Sequence, residues 1–224
     1  MMARRKPNVR HEVGAEPADE ERGAGRARLL EATSILMRDA DDLHVPLADI
    51  AAHTGLNAAL VRYYFKGKDG LLRALLERDT GTSLTELDHL LAMDIKPSKK
   101  LRYHLAGLIN TYHTYPYLSR LMIKLLQEGS EDERQKIADR FLKPIANFYE
   151  TVVKEGRAIG EFRDIDPKLL YFNVIGMCDH LFSSRASLHY CYGIDEVDET
   201  LKRQYIDQVV TILLKGVLAD DVAA

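Results

Sequence analysis

Residues 45–72 restrict the fold of this chain more than any other stretch, because they carry the signals for two short helices joined by a tight turn. Pro46 can open the first helix, since the first helical position needs no backbone N–H donor. Gly55 suits a helix end that requires positive φ, and Asn57 is a favourable N-cap for the second helix. The apolar residues at helical spacing are Leu47, Ile50 and Ala51 in the first segment and Leu60, Val61, Tyr64 and Phe65 in the second. The stretch therefore predicts a helical pair with one apolar face on each helix.

The spacing of Ala51, Gly55 and Val61 indicates how the two predicted helices meet. A small residue lets crossing helices approach closely, the glycine forms the turn, and the β-branched residue packs the second helix back onto the first. This arrangement is typical of a helix-turn-helix, whose second helix lies in the major groove of DNA. An ordinary helical hairpin inside a protein core would show the same spacing and is the alternative.

Cationic and aromatic residues follow Val61 closely and favour DNA binding over the hairpin alternative. Cations and phenolic hydroxyls are groups that hold DNA phosphates. We predict phosphate contacts for Tyr64, Lys66 and Lys68. The residues predicted to contact bases, or phosphates near the groove floor, are Asn57, Ala58, Ala59, Arg62 and Tyr63, and either alanine could touch a thymine methyl group.

This stretch resembles the DNA-binding domain of the tetracycline-repressor (TetR) family of bacterial transcription regulators, over roughly residues 25–75. The matching residues are Ile50, Ala51, Gly55, Leu56, Tyr63, Tyr64, Phe65, Lys68 and Leu71. The resemblance implies a homodimer that binds a palindromic operator in double-stranded DNA. It also implies that the protein is a repressor, as most members are, and that a small ligand bound in the C-terminal domain releases it.

Three residues depart from the family pattern. Many members carry tyrosine where this chain has Arg62, threonine where it has Leu60, and serine or threonine where it has Pro46. Arg62 can still contact a phosphate or bind a guanine edge as a bidentate donor. The departures leave the implied fold and general function intact, but the operator sequence of a relative does not transfer.

The composition is that of an ordinary globular protein, with 46% apolar and 29% charged residues and a net charge of −3. The negative charge argues against a chain coated by nucleic acid, although it permits a local basic patch. The two cysteines, Cys178 and Cys191, show no metal-ligand spacing and indicate a reducing compartment. There is no apolar run of membrane-spanning length and no signal-peptide segment, so we predict a cytoplasmic protein without membrane contacts.

The periodicity predicts an all-α fold with two domains behind an N-terminal extension. A three-helix DNA-binding domain spans residues 22–72, and a six-helix ligand-binding and dimerisation domain spans residues 73–224. The predicted helices outside the helix-turn-helix cover residues 24–39, 69–93, 97–115, 117–127, 131–157 with a kink at Pro144, 168–190 and 196–218. Residues 1–21 are predicted to be disordered. Their basic start is either a solubilising tail or an arm for the DNA minor groove.

The last two predicted helices have apolar faces wider than one neighbour requires, which predicts a homodimer through them or, alternatively, an internal core. In a dimer, two helix-turn-helix domains reach successive major grooves about 34 Å apart. The middle helices can enclose a pocket for an apolar or amphipathic ligand, because such a site needs an apolar wall and a few convergent polar groups. The candidate pocket residues are His104, Tyr112, His113, Tyr117, Met122, Phe148, Tyr171, Met177 and His180.

Other functional classes fit the sequence less well. Cys178, Asp179 and His180 are neighbours on a helix and point apart, so they form no catalytic group and we predict no enzyme activity. The spacing of side chains predicts no local metal site and no cofactor, although a metal site built from distant residues stays open. The remaining alternative is a helical ligand-binding or interaction protein that does not read DNA, since residues 58–60 offer base edges few hydrogen-bonding groups.

Overall fold

The computed structural model describes residues 17–219, and the regular structure within that range is helical apart from one isolated bridge between Phe162 and Leu218. This confirms the all-α fold. The α-helices are α1 (Pro17–Ala40), α2 (Leu47–Thr54), α3 (Ala59–Phe65), α4 (Lys68–Ala92), α5 (Pro97–Thr114), α6 (Leu118–Glu128), α7 (Glu131–Ile137), α8 (Lys143–Ala158), α9 (Pro167–Ser183), α10 (Arg185–Tyr192) and α11 (Glu199–Val217). Residues 1–16 of the predicted disordered extension lie outside the described range.

Helices α1, α2 and α3 form a small domain, which we call the head. Leu29, Ile50, Val61 and Phe65 are buried in its core. α1 packs against α2, and α3 packs against the start of α4. The Arg28 guanidinium of α1 donates a hydrogen bond of 2.5 Å to the Thr54 carbonyl oxygen at the end of α2 and so links the two helices.

Helix α4 connects the head to the rest of the chain. It has 25 residues and is therefore about 37 Å long at 1.5 Å per residue. Leu71, Leu72 and Leu75 are buried in its first half, and Leu87 is buried in its second half. α4 packs against α1 and α3 on the head side and against α5, α6 and α8 on the other side. One continuous helix therefore contacts both parts of the molecule.

Helix α5 occupies the centre of the C-terminal part, where α4, α8, α9 and α11 all pack against it. Its N-terminus is capped by Glu161, a buried carboxylate that accepts hydrogen bonds from the backbone N–H of Ser98 at 3.1 Å and from its hydroxyl at 2.7 Å. A carboxylate at this end also complements the helix dipole. The long-range contact between Glu161 and Ser98 therefore anchors the central helix.

The helix boundaries differ from the prediction at three places. α1 begins at Pro17 rather than at residue 24, so it runs through the predicted boundary at residue 21. The predicted helix 131–157 contains a π turn at Ala138–Leu142, where the Lys143 N–H bonds to the carbonyl five residues back, just before Pro144, which has no N–H.

The predicted helix 168–190 is divided into α9 and α10 at Ser184. Ser184 leaves the helical region at φ −115° and ψ 46°. The preceding hydroxyl, of Ser183, donates to the Asp179 carboxylate at 2.9 Å, and the Ser184 hydroxyl lies 3.2 Å from His180 Nδ1. Both of these bonds join side chains and do not involve the backbone, and Ser184 is the residue at which α9 ends and α10 begins.

Candidate functional site

The turn of the helix-turn-helix has the geometry that its residues predict. Gly55 ends α2 in the left-handed region at φ +67°, which a residue without Cβ adopts at little cost. The Asn57 side chain accepts a hydrogen bond of 2.8 Å from the Ala59 N–H and so caps the start of α3. At the other end, Lys66 adopts φ +63° and Gly67 adopts φ +130°, which end α3 before α4 begins. α3 is therefore short and fixed at both ends.

Helix α3 buries one face and presents the other to solvent. Val61 and Phe65 are buried in the head core, whereas Arg62 is exposed and Tyr63 is 62% exposed. Of the eight predicted DNA contacts, those with exposed side chains are Asn57, Ala59, Arg62, Tyr63 and Lys66, and those that are half-buried are Ala58, Tyr64 and Lys68. Three of the eight, Ala59, Arg62 and Tyr63, therefore lie on the outward face of α3, and the other two exposed residues, Asn57 and Lys66, flank the helix at its two ends.

The cations near α3 are not neutralised within the described chain. Arg62, Lys66 and Lys68 make no ion pair with another residue in the range 17–219. By contrast, Arg28 and Arg26 on α1 are engaged, the first with the end of α2 and the second 5.2 Å from the centroid of the Phe65 ring. The unpaired cations give this end of the head a local positive charge in a chain of net charge −3.

Tyr64 joins α3 to α1. It is half-buried, and its ring stands edge-on to Tyr63 at 5.0 Å and to Phe65 at 6.3 Å between ring centroids. Its hydroxyl would lie 3.0 Å from a Cβ placed on Gly25. Gly25 therefore lets the tyrosine lie across α1. Sequence reasoning missed this role, although a glycine inside a helix, which costs about 1 kcal/mol relative to alanine, is a signal of close approach.

A cavity of about 420 Å³ lies between α4, α5, α6, α8 and α9. This volume is within the usual range of small-molecule sites, about 300–1,000 Å³. Its wall is mainly aliphatic, with leucines from three helices: Leu76, Leu84, Leu87 and Leu90 of α4, Leu108 of α5, and Leu118 and Leu126 of α6. The cavity can therefore hold an apolar molecule.

Four of the nine predicted pocket residues line this cavity, namely His104, Tyr112, Met122 and Tyr171. His104 is buried, and its Nε2 lies 2.8 Å from the Tyr149 hydroxyl. Burial lowers the pKa of His104 from 6.5 to about 3, so the imidazole is neutral at ordinary pH. Burial likewise raises the pKa of Tyr112 and keeps its phenol protonated.

The other five predicted pocket residues lie elsewhere. Phe148 is fully buried behind His104, with ring centroids 4.5 Å apart. His113 is 2.8 Å from the Val197 carbonyl oxygen, on the side of the helix near α11. The remaining three are Tyr117, buried below the head, Met177, whose carbonyl oxygen accepts a hydrogen bond from Tyr205, and His180, which is exposed on α9.

The cavity also contains residues that sequence reasoning missed. Glu86 of α4, Tyr103 of α5 and Phe172 of α9 line it, and all three are exposed at its opening. Exposure of an aromatic residue cannot be read from helical periodicity alone, because a wide apolar face can meet a neighbour, a cavity or solvent. The leucines of α4 were predicted to be apolar but not to face a cavity.

A buried hydrogen-bonded group lies between the cavity and the head. The Asp79 carboxylate of α4 accepts hydrogen bonds from Arg78 Nε at 2.6 Å and from the Tyr117 hydroxyl at 2.5 Å. The Tyr117 hydroxyl is also 2.6 Å from the Ser34 hydroxyl of α1. Burial raises the pKa of Asp79, and the bonds from Arg78 and Tyr117 offset only part of that shift. We call Ser34, Asp79 and Tyr117 the polar bridge, because they join α1 and α4 to the residue that precedes α6.

No helix within residues 17–219 is long and apolar enough to cross a membrane. The same range contains no group of three or more histidine, cysteine, aspartate or glutamate side chains arranged to hold a metal ion.

Solved structures with similar folds are transcription regulators. A ketosteroid transcriptional regulator of Mycobacterium tuberculosis is 19% identical and has a TM-score of 0.67, with 88% of this chain and 96% of that chain covered. The regulator FadR from Bacillus subtilis, in complex with stearoyl-CoA, is 17% identical with a TM-score of 0.60, covering 82% and 97%. NalD, the secondary repressor of the MexAB-OprM multidrug efflux pump in Pseudomonas aeruginosa, is 17% identical with a TM-score of 0.61, covering 89% and 98%.

The sequence comparisons identify the family. No curated protein sequence gives a significant match. The family model described as "Tetracyclin repressor-like, C-terminal domain" matches residues 94–222, which is more than half of the chain. This match lies outside the helix-turn-helix, so it is independent of the residues that carry the resemblance in the head. The chain belongs to the TetR family of transcription regulators.

Proposed function

We propose that this protein is a homodimeric repressor in the cytoplasm that binds a palindromic DNA operator through the head and releases it when a small apolar or amphipathic ligand occupies the cavity. The observation that carries the proposal is the outward face of α3. A short helix held by Val61 and Phe65 presents Arg62 and Tyr63 to solvent, beside cations without ion-pair partners in the described chain. Such a face suits the major groove and its flanking phosphates.

The first test is selection of bound sequences from a random DNA pool at two salt concentrations. We expect a palindrome whose half-sites lie about one helical turn, or ~34 Å, apart, with binding that weakens steeply as salt rises. If neither salt concentration enriches a sequence and binding is weak and insensitive to salt, the head does not read DNA. The protein would then be a helical ligand-binding or interaction protein.

Substitutions in the head separate phosphate contacts from base contacts. Lys68→Ala should weaken binding to all sequences alike and lower the salt slope by about one, because it removes one cation near the phosphates. Lys96→Ala, an exposed lysine between α4 and α5, is the matched control and should leave the slope unchanged. Arg62→Ala should change the selected sequence if Arg62 binds a guanine edge, whereas an unchanged sequence assigns it to a phosphate.

The dimer proposal is supported by α9 and α11, which present apolar and small residues to solvent. Leu169 of α9 is 64% exposed and Ile212 of α11 is also exposed. Gly176 and Gly216 lie inside these helices, and a Cβ on either would meet nothing within 4 Å. A glycine inside a helix costs about 1 kcal/mol relative to alanine, and contacts within this chain do not require one at either position. Close approach of the same helices from a second copy accounts for both.

Gly176→Arg tests the dimer directly. We expect sedimentation equilibrium to show a monomer, because the long side chain would stand between the two copies at their closest approach. Asn147→Arg introduces the same charge on an exposed position of α8 and should leave the mass unchanged. A dimer that persists in Gly176→Arg with unchanged affinity would place the interface elsewhere.

The proposal of ligand release is supported by the path of α4. Its first half packs against the head, and its second half lines the cavity through residues 80–90. A ligand changes DNA affinity only if it binds the two conformations of the protein with different affinities. The corresponding measurement is operator affinity with and without ligand, and by linkage DNA must lower ligand affinity by the same factor.

A further inference from the structure

The charged side chain that lines the cavity is negative. Among the residues that line it in the described part of the chain, Glu86 is the single charged one, and lysine and arginine are absent. The Glu86 carboxylate makes no hydrogen bond or ion pair with another residue in the range 17–219. His104 adds no positive charge, because it is buried and neutral. An anionic group in this cavity would therefore meet a carboxylate and no cation.

Two exposed aromatic rings accompany that carboxylate. Tyr103 is 54% exposed and Phe172 is 68% exposed, and both line the cavity. Glu86 Oε2 lies 3.9 Å from where a Cβ on Gly107 would stand. Tyr103 precedes Gly107 by four residues and so lies one turn away on the same face of α5. Glu86 and Tyr103 therefore share one side of the opening, and Phe172 borders it from α9.

We infer that the cavity binds a lipophilic cation, with its apolar body among the leucines and its positive charge at Glu86, Tyr103 and Phe172. This rests on the proposed ligand-responsive function and names the class of its ligand. A carboxylate attracts the cation, and an aromatic face within about 6 Å adds a favourable electrostatic contact, strongest for weakly hydrated quaternary ammonium groups. A fatty acid or an acyl-CoA carries the opposite charge and finds no cation in this lining.

The test uses three probes with the same decyl chain and different charge: decyltrimethylammonium and decanoate, each below its critical micelle concentration, and decanol below its solubility limit. Affinity for the purified protein is measured by isothermal titration calorimetry without DNA, so failure of DNA binding does not affect the result. We expect decyltrimethylammonium to bind most tightly and decanoate least. Glu86→Gln should lower the affinity for decyltrimethylammonium about fivefold and leave the affinity for decanol unchanged. Asp88→Asn removes an exposed carboxylate of the same helix outside the cavity and should change neither.

A second variant shows that binding takes place in the cavity. Gly107→Leu introduces a side chain at the cavity wall, where a Cβ would have Glu86 Oε2 as its nearest contact, at 3.9 Å, so the first side-chain carbon meets no clash. A thermal midpoint no lower than that of the wild type shows that the variant is folded, and its affinity for every probe that binds the wild type should be lower. The inference is overturned if decanoate binds as tightly as the ammonium, or if Glu86→Gln leaves the ammonium affinity unchanged. If all three probes fail to bind, the inference is overturned, whereas an operator recovered by selection and released by another small ligand would still establish the proposed function.

Discussion

Replacing His104 by glutamine should remove most of the loss of stability that this protein undergoes between pH 7.5 and pH 5. His104 is buried and bonds to the Tyr149 hydroxyl through Nε2 at 2.8 Å. The amide nitrogen of glutamine occupies a similar position to Nε2 and keeps a partner for that hydroxyl. The substitution therefore removes the titration while retaining the hydrogen bond.

The magnitude follows from the difference in proton binding between the two states. Burial lowers the pKa of His104 from 6.5 to about 3, so at pH 5 the unfolded chain binds a proton there and the folded chain does not. As pH falls below the pKa of this histidine in the unfolded chain, proton binding stabilises the unfolded state and the free energy of unfolding decreases. The decrease ends only below the pKa of His104 in the folded protein. At 1.36 kcal/mol per pKa unit, the loss is negligible at pH 7.5 and about 2 kcal/mol at pH 5.

The assay is urea unfolding at both pH values, at one protein concentration because dimerisation would add to the apparent stability. The wild type should lose about 2 kcal/mol more than His104→Gln between pH 7.5 and pH 5. His180→Gln is the matched control and should behave as the wild type, since His180 is exposed on α9. If the wild type and His104→Gln lose the same free energy of unfolding, His104 is protonated in the folded state. That result would refute the assignment of a neutral imidazole in the cavity lining.

Two further predictions concern contacts within and below the head. Gly25→Val should weaken operator binding by shifting the Tyr64 side chain, because its Cβ would lie 3.0 Å from the Tyr64 hydroxyl. Gly23→Val, where a Cβ meets nothing within 4 Å, should not weaken it. Tyr117→Phe should lower the free energy of unfolding by about 1–3 kcal/mol in urea, because it leaves a buried carboxylate oxygen without a donor. Tyr103→Phe, which removes an exposed hydroxyl, should change it by less than ~0.5 kcal/mol. If Gly25→Val binds the operator as Gly23→Val does, the contact between Gly25 and Tyr64 does not position α3. If Tyr117→Phe is as stable as Tyr103→Phe, the bond between Tyr117 and Asp79 does not stabilise the fold.

Most features of this chain that depend on residues adjacent in sequence were predictable. The turn at Gly55, the cap at Asn57 and the apolar spacing of α3 each follow from the backbone preferences of one or two residues. The division at Ser184 was missed, since serine is compatible with both a helix interior and a helix end and no glycine or proline marks the break. Local signals therefore identify elements well and their ends less well.

The features that depend on distant residues were not predictable. The contact between Tyr64 and Gly25 spans 39 positions, and that between Tyr117 and Asp79 spans 38. Pocket residues show the same limit. Phe148 and Tyr171 are aromatic residues on helices that pack against each other, yet only Tyr171 lines the cavity, because which apolar side chain faces an empty volume depends on how five helices pack together.

The polar bridge connects the wall of the cavity to the head. Asp79 stands between Leu76 and Thr80, which both line the cavity, and Tyr117 precedes Leu118, which lines it as well. Through Ser34 the same hydrogen bonds reach α1 of the head. The Tyr117 bond to the Asp79 carboxylate contributes about 1.5–3 kcal/mol and the bond to Ser34 about 0.5–1.5 kcal/mol, whereas a shift from 1% to 99% of one conformation requires about 5.5 kcal/mol. The two bonds therefore contribute about 2–4.5 kcal/mol in one copy and about 4–9 kcal/mol in both copies of the proposed dimer. Breaking these bonds in both copies therefore changes the free energy by as much as the proposed operator release requires, whereas breaking them in one copy does not. We therefore expect little release when only one copy is occupied by ligand.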